Sequence, residues 1–266
     1  MRAQPDALAR ARQATELIAV YQQRSTELAR LRRLAIEQVA RQRGMTMAAV
    51  AAELGLSKGR ISQIRQGGPP PERGLFGVGP ITVAVPTREM PGRGLPVISA
   101  EDSIAAERIT SLLAGLGFTV DQYRIPIGGQ WTPTGDVLAI CGPKSSPVTI
   151  EVLTSDPLLT FTEDSAGRWG IQDRATGQRW LSPMDDPEPG EADIAYVGRL
   201  PYRDGALFLI AGVHAIGSVG AVHHLAAHLS DLYEAVGEGY WSGVVLSRHR
   251  AEAIGESEWL CPPRKH

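Results

Sequence analysis

MAAVAAELGLSKGRISQIRQ, residues 47–66, is the stretch on which the reading of the fold turns. Its apolar residues Val50, Leu54, Leu56, Ile61 and Ile64 follow two short helical periods with Gly55 between them. A sharp connection between helices needs a left-handed backbone, and Gly adopts one without a steric penalty. Ala51 is small where the first helix must pass close to the second, and Ser57 offers a hydroxyl to cap the second. The stretch therefore reads as two helices, Met47–Leu54 and a second ending near Gln66, joined by Gly55-Leu56-Ser57. The second helix then turns Lys58, Gly59, Arg60, Ser62, Gln63 and Arg65 outward. Such side chains reach phosphates and base edges in a major groove, so double-stranded DNA is the expected partner. The competing reading is an ordinary α-hairpin with a polar outer face.

Charge supports the first reading. Residues 1–66 hold 12 Lys and Arg against 5 Asp and Glu, whereas the remaining residues hold 15 against 24. A basic segment, net +7, is thus joined to an acidic one, net −9, and only the first favours a polyanion. All five Trp lie after residue 130. The chain has 266 residues, 43% hydrophobic and 21% charged, enough for one large domain or two unequal ones. No run of 18 apolar residues occurs, so no membrane span is expected, and no leader pattern is evident at the start. The expected location is cytoplasmic. Cys141 and Cys261, far apart in sequence, form neither a disulfide framework nor a metal motif.

Upstream, residues 5–43 read as nearly continuous helix begun by Pro5, either one long helix or two broken near Ser25-Thr26. Leu17, Tyr21, Leu28, Leu31 and Ala35 recur at spacings of three, four or seven, with Arg24 interrupting. That pattern permits a dimerising coiled coil, although residues 28–41 are also needed to close the core of the helix pair. A dimer is the expected assembly, because one short recognition helix covers only a half-site. Downstream, 68–79 is rich in Gly and Pro and reads as a linker across which a bound ligand would alter domain spacing.

Residues 80–250 read as a three-layer, mostly parallel α/β domain with helices on both faces and a hairpin insertion at 168–181. Expected strands are 81–85, 118–125, 137–141, 158–162, 192–200, 206–211 and 240–246, with helices at 100–114, 148–154 and 221–236. The turn Pro201-Tyr202-Arg203-Asp204-Gly205 separates two of the strands, and 251–266 reads as a polar tail anchored at most by Trp259 and Leu260.

Two loops each follow a buried strand and lead into a helix, the place where open α/β sheets collect ligands. One offers Gly142, Lys144, Ser145 and Ser146; the other offers His214, Gly217, Ser218 and Gly220. Helix N-termini with close backbone approach suit phosphate or carboxylate, so a small anionic or nucleotide-like effector is expected there. Arg88 and Arg93 stand in the first strand–helix loop; Asp136 and Glu151 could approach a ribose or base amine, but each reads first as a solvated or locally bonded carboxylate. Neither loop has the P-loop order, and no cofactor is required by any motif. His224 and His228 share a helical face, but Leu225 replaces the Glu of His-Glu-x-x-His, so no metal is expected. His214 beside Ser218 hints at a base and nucleophile, yet Gly217-Ser218-Val219-Gly220 lacks the nucleophile-elbow spacing and no catalytic residue is assigned. The two other readings are a nucleotide- or nucleoside-processing enzyme tethered to DNA and a DNA-organising structural protein.

Residues 47–66 resemble bacterial helix-turn-helix transcriptional regulators. They are especially similar to the last DNA-binding region of sigma-factor-like proteins, where Gly-Leu-Ser-Lys-Gly-Arg-Ile, here Gly55 to Ile61, joins turn to recognition helix. The resemblance implies major-groove binding through Lys58 to Arg65. It covers 20 to 40 residues, and nothing beyond them looks like the rest of a sigma factor. The loops of the second domain look broadly like those of nucleotide-binding α/β sensor domains.

Overall fold

The computed structural model describes residues 6–92, 94–203 and 205–266; Pro5, Arg93 and Asp204 lie outside the described residues. Helix α1, Ala7–Arg43, runs unbroken from Asp6, whose carboxylate accepts from Leu8 N and Ala9 N, to Gly44 in the left-handed conformation. No break occurs at Ser25-Thr26, where Thr26 Oγ1 donates back to Gln22 O within the helix. Two short helices follow, α2 at Met47–Glu53 and α3 at Lys58–Gly67. Thr46 accepts from Ala49 N and Ser57 from Arg60 N, capping each, and Gly55 has φ 65° at the turn. Ile36 and Ala40 of α1 complete a small core with Val50, Ala51, Ile61 and Ile64. Leu54 is not part of it and stays 53% exposed.

The segment after α3 is not a free linker. Pro71–Leu75 forms a 3-10 turn, and Leu75 and Phe76 enter the main core. Arg73 is fully buried. Its guanidinium donates to Gln23 Oε1 at 2.5 Å, Val78 O at 2.7 Å and Leu116 O at 3.1 Å, and lies 3.5 Å from the centre of the Phe118 ring. Burial lowers its pKa to about 10, against the pull of Glu27. Arg30, also fully buried, binds Glu27 and, at 2.8 Å, Glu238. Burial disfavours the charge of Arg30, but the two carboxylates outweigh it and its pKa is raised. These groups lock α1 to the rest of the chain, so the expected reorientation across a Gly/Pro tether is replaced by packed contact.

The second region is α/β, as its alternating elements require. Its strands are β1 (Ile81–Pro86), β2 (Val120–Ile125), β3 (Asp136–Ile140), β7 (Ala192–Tyr202), β8 (Gly205–Gly212), β9 (Trp241–Arg250) and β10 (Ala253–Lys265). They form one sheet in the order β10-β9-β7-β8-β3-β1-β2. The ladders β2-β1-β3-β8 are parallel and those from β8 through β7 and β9 to β10 are antiparallel, so five of the seven strands share one direction. Helices α4 (Ala100–Gly115) and α6 (Ala215–Val236) cover one face. Helix α5 (Pro147–Thr154) covers the other together with a separate antiparallel sheet, β4 (Leu159–Glu163), β5 (Trp169–Asp173) and β6 (Arg179–Leu181). The domain is thus three-layered, but one outer layer is part helix and part sheet.

Two boundaries differ from expectation. The supposed tail is the 13-residue edge strand β10, whose register shifts accommodate Pro262 and Pro263. Proline is tolerated at such edges because a missing donor costs no ladder bond. Helix α6 begins at Ala215, six residues earlier than expected, which takes Gly217, Ser218 and Gly220 out of the loop and into its first turns.

Two measurements test this packing. Arg73→Ala leaves Gln23 Oε1 and the carbonyls of Val78 and Leu116 without their buried donor and lowers unfolding free energy by about 3–5 kcal/mol. Arg43→Ala, which removes an exposed pair with Glu53, costs less than about 1 kcal/mol. Equal small losses on urea titration would contradict the buried network. The second concerns His224, buried against Trp259 in α6, whose pKa falls from 6.5 to about 4 through burial and then the neighbouring His228. The unfolded chain therefore takes up this proton first, so the stabilising contribution is whole above pH 6.5 and fades as pH falls toward 4. Relative to His224→Gln, the wild type loses on the order of 3 kcal/mol across that interval. Parallel pH profiles for the two proteins would refute the assignment.

Candidate functional site

A cavity of about 650 Å³ opens at the carboxyl ends of β1, β3 and β8. The chain leaves β1 toward β2 on one side and leaves β3 toward β8 on the other, with α4 and α5 on opposite faces. The crevice between β1 and β3 is therefore the topological switch point, where diverging loops leave room for a ligand. Its volume lies within the range of small-molecule sites.

One wall is the loop after β3. Gly142, Lys144, Ser145 and Ser146 all line the cavity, as the sequence suggests. Ser146 precedes α5, but its hydroxyl does not cap the helix. It accepts from Trp131 Nε1 at 3.1 Å and donates to Gly129 O at 3.2 Å. The first-turn amides of α5 therefore lack a side-chain cap. Lys144 Nζ stands 5.4 Å from the centre of the Trp169 ring, and Phe161 joins Trp169 in the lining. Both aromatics come from the small sheet, and they put flat apolar surface beside a cation.

The opposite wall carries Arg88, from the loop after β1, in an ion pair with Asp102 at 2.8 Å. Asp102 sits in the first turn of α4 and is nearly fully buried. Burial raises its pKa while Arg88 pulls the other way. Asp136 and Glu151 are elsewhere. Asp136 accepts from Val78 N and Gly79 N at the start of β3, away from the cavity, and Glu151 is exposed on α5.

The second predicted loop is built differently. His214 and Ser218 line the cavity, whereas Gly217 and Gly220 are packing positions. A Cβ on Gly217 would meet Asp193 Oδ2 at 2.5 Å, and one on Gly220 would collide with Ser247 Oγ of β9. Asp193, fully buried on β7, accepts from His214 N at 3.0 Å and Gly217 N at 2.9 Å. Burial raises its pKa despite the nearby Ser182 hydroxyl and His214. Two donors at the start of α6, His214 N and Gly217 N, are therefore already engaged by a carboxyl from the sheet. His214 Nε2 contacts Asp185 Oδ1 at 3.0 Å, and Ser218 Oγ accepts from Gly212 N at 3.0 Å. The two side chains thus have separate partners, and no described hydrogen bond joins the His214 ring to Ser218. Among the described residues no cluster of three or more His, Cys, Asp or Glu has a metal-holding arrangement.

Away from the cavity, Lys58, Gly59, Arg60, Ser62, Gln63 and Arg65 are all exposed on α3, and Ile61 and Ile64 are buried beneath them. Arg60 Nη1 donates to Gln63 Oε1 at 3.3 Å; among the described residues no ion pair engages Lys58, Arg60 or Arg65. Among the described residues no helix is long and apolar enough to cross a membrane.

No protein-family model matches this chain, and no curated protein matches its sequence.

The cavity-side cysteine has a direct test. Cys141 is buried, and burial pushes its thiol up to about 12; Cys261 is raised by the same cause. Thiolate is the reacting species, so both should resist iodoacetamide at pH 8 in the native protein and react in urea. Rapid native labelling of Cys141, read by mass spectrometry, would show that the cavity floor is open.

Proposed function

We propose that this chain is a sequence-specific DNA-binding regulator whose α/β region binds a small anionic, nucleotide-like ligand. The observation that carries the reading is the sidedness of α3. Its apolar residues seat it on α1 and α2, leaving an outward face with three cations and no acid. A helix held at its apolar side and preceded by a tight turn suits entry into a major groove, with Lys58 and Arg60 nearest the leading end. The basic excess of residues 1–66 supplies the long-range attraction to phosphate.

The cavity supports the second half. Lys144, Arg88 and the uncapped start of α5 favour an anionic group, while Trp169 and Phe161 favour a planar one. Ligand binding acts on the DNA-binding end through packed elements, because the segment after α3 is part of the core. Helix α6 begins beside the cavity at His214, and Glu238, two residues past its end, binds Arg30 of α1.

One pair of experiments tests both halves. Duplexes selected from a randomised pool by the wild-type protein should bind Lys58→Ala/Arg60→Ala at least tenfold more weakly, with an unchanged far-ultraviolet dichroism spectrum. Failure to select any sequence, or unaltered affinity of the variant, would overturn the DNA reading. In calorimetry against nucleoside phosphates and inorganic phosphate, Lys144→Ala should weaken every anion that binds. Trp169→Ala should remove only the preference for the nucleoside over phosphate. Absence of binding by all probes would overturn the ligand reading and leave the DNA result standing.

A further inference from the structure

The middle of α1 carries an apolar stripe that the other described residues leave exposed. Leu17 is 40% exposed, Ile18 57%, Tyr21 65%, Leu28 66% and Leu31 43%. Their placement is ordered. Ala14, Leu17, Tyr21, Arg24, Leu28, Leu31 and Ala35 follow alternating steps of three and four, the a and d positions of a heptad, and Ile18 flanks them at e. Gln23 and Arg30, which dock α1 onto the α/β region, both fall at c. Position c lies about 130° around the helix from the centre of the a/d seam, given 100° per residue. The docked face and the apolar face are therefore different faces of one rigid helix.

We propose that this seam pairs with the same seam of a second copy, antiparallel, to make a two-fold dimer. This goes beyond the DNA-and-ligand reading and does not depend on it. The occupant is argued from the stripe's own chemistry. In a parallel pair each a or d residue meets its own counterpart, so Arg24 would face Arg24 between layers of Tyr21 and Leu28. In an antiparallel pair a faces d, and one register fits. Leu17 meets Leu28, Ala14 meets Leu31, and Arg24 lies across Tyr21, where a guanidinium over an aromatic face is favourable. Shifting by one heptad either way sets Arg24 against Ala14 or Leu28 and breaks the Leu17–Leu28 layers. The stripe is thus complementary to itself in one arrangement, which is what a two-fold interface demands. The overlap spans residues 14–31, about 27 Å of helix. So short a seam is marginal between free helices. Here α1 is already ordered by Arg30 and Gln23 on one side and by α2 and α3 at its end, so association does not have to fold the helix.

Sedimentation equilibrium and disulfide trapping test this on the full chain. The wild type should sediment as a dimer in the micromolar range, and Leu28→Lys should shift it to monomer with an unchanged melting temperature, since Leu28 is 66% exposed and belongs to none of the described core clusters. A wild-type monomer up to 100 micromolar would overturn the proposal. Orientation is read by cysteine variants. Leu17→Cys mixed with Leu28→Cys should give a disulfide-linked heterodimer on mild oxidation, while Leu17→Cys alone should not self-link, its two copies lying about 16 Å apart along the axis. Self-linking of Leu17→Cys without the mixed product would overturn the antiparallel register. A dimer untouched by Leu28→Lys would place the interface elsewhere and overturn the seam. None of these readouts needs DNA or ligand.

Discussion

The structure depends on two guanidinium groups taken out of water. Arg73 and Arg30 lie side by side between α1 and the α/β region, bonded to Gln23, Glu27, Glu238 and backbone carbonyls, with Arg73 Nε 3.9 Å from Glu27. Removing a charge of this kind from solvent is costly, and only dense pairing offsets it. The pairing is directional, so it fixes how α1 lies on the sheet domain. Because α1 is one uninterrupted helix, fixing residues 23–30 also fixes residues 36–40, on which α2 and α3 rest. The position of the exposed basic face of α3 relative to the cavity follows from this contact.

The cavity shows a second constraint. Its place is set by topology, since β1 and β3 send their connections in opposite directions. Its polarity is set by which helix start is left open. Asp193 engages His214 N and Gly217 N at the start of α6, and the hydroxyl of Ser146 is diverted to Trp131 and Gly129 rather than capping α5. Two loops that look equivalent in sequence therefore differ in what they offer an anion. The deciding groups, a carboxyl on β7 and an indole before β3, lie 50 or fewer residues away and in neither loop's motif.

Much of the fold was legible because local signals and packing agree. Thr46 and Ser57 cap, Gly55 turns, Ser99 caps α4, and short apolar runs mark the inner strands. What was not legible depends on partners distant in sequence. Residues 68–79 carry the composition of a tether, and only the tertiary structure buries Arg73 and Leu75 among them. Strand β10 is polar with two prolines because it lies at an edge, a pattern that reads equally as a tail. In the candidate site, Lys144, His214 and Ser218 were visible from the rule that loops follow buried strands. Trp169 and Phe161 were not, because their hairpin gives no sign of which neighbour it packs on. Arg88 was noticed as a loop cation, but its partner Asp102 reads as an ordinary first-turn acid of α4.

The central claim is that α2, α3 and the sheet domain form one body through α1. Amide nitrogen relaxation of the full-length protein tests it most directly. The account predicts one rotational correlation time for residues 47–66 and for the sheet strands, with no added fast motion over 69–79. Markedly faster tumbling of 47–66, with low order through 69–79, would contradict it and restore a flexible tether.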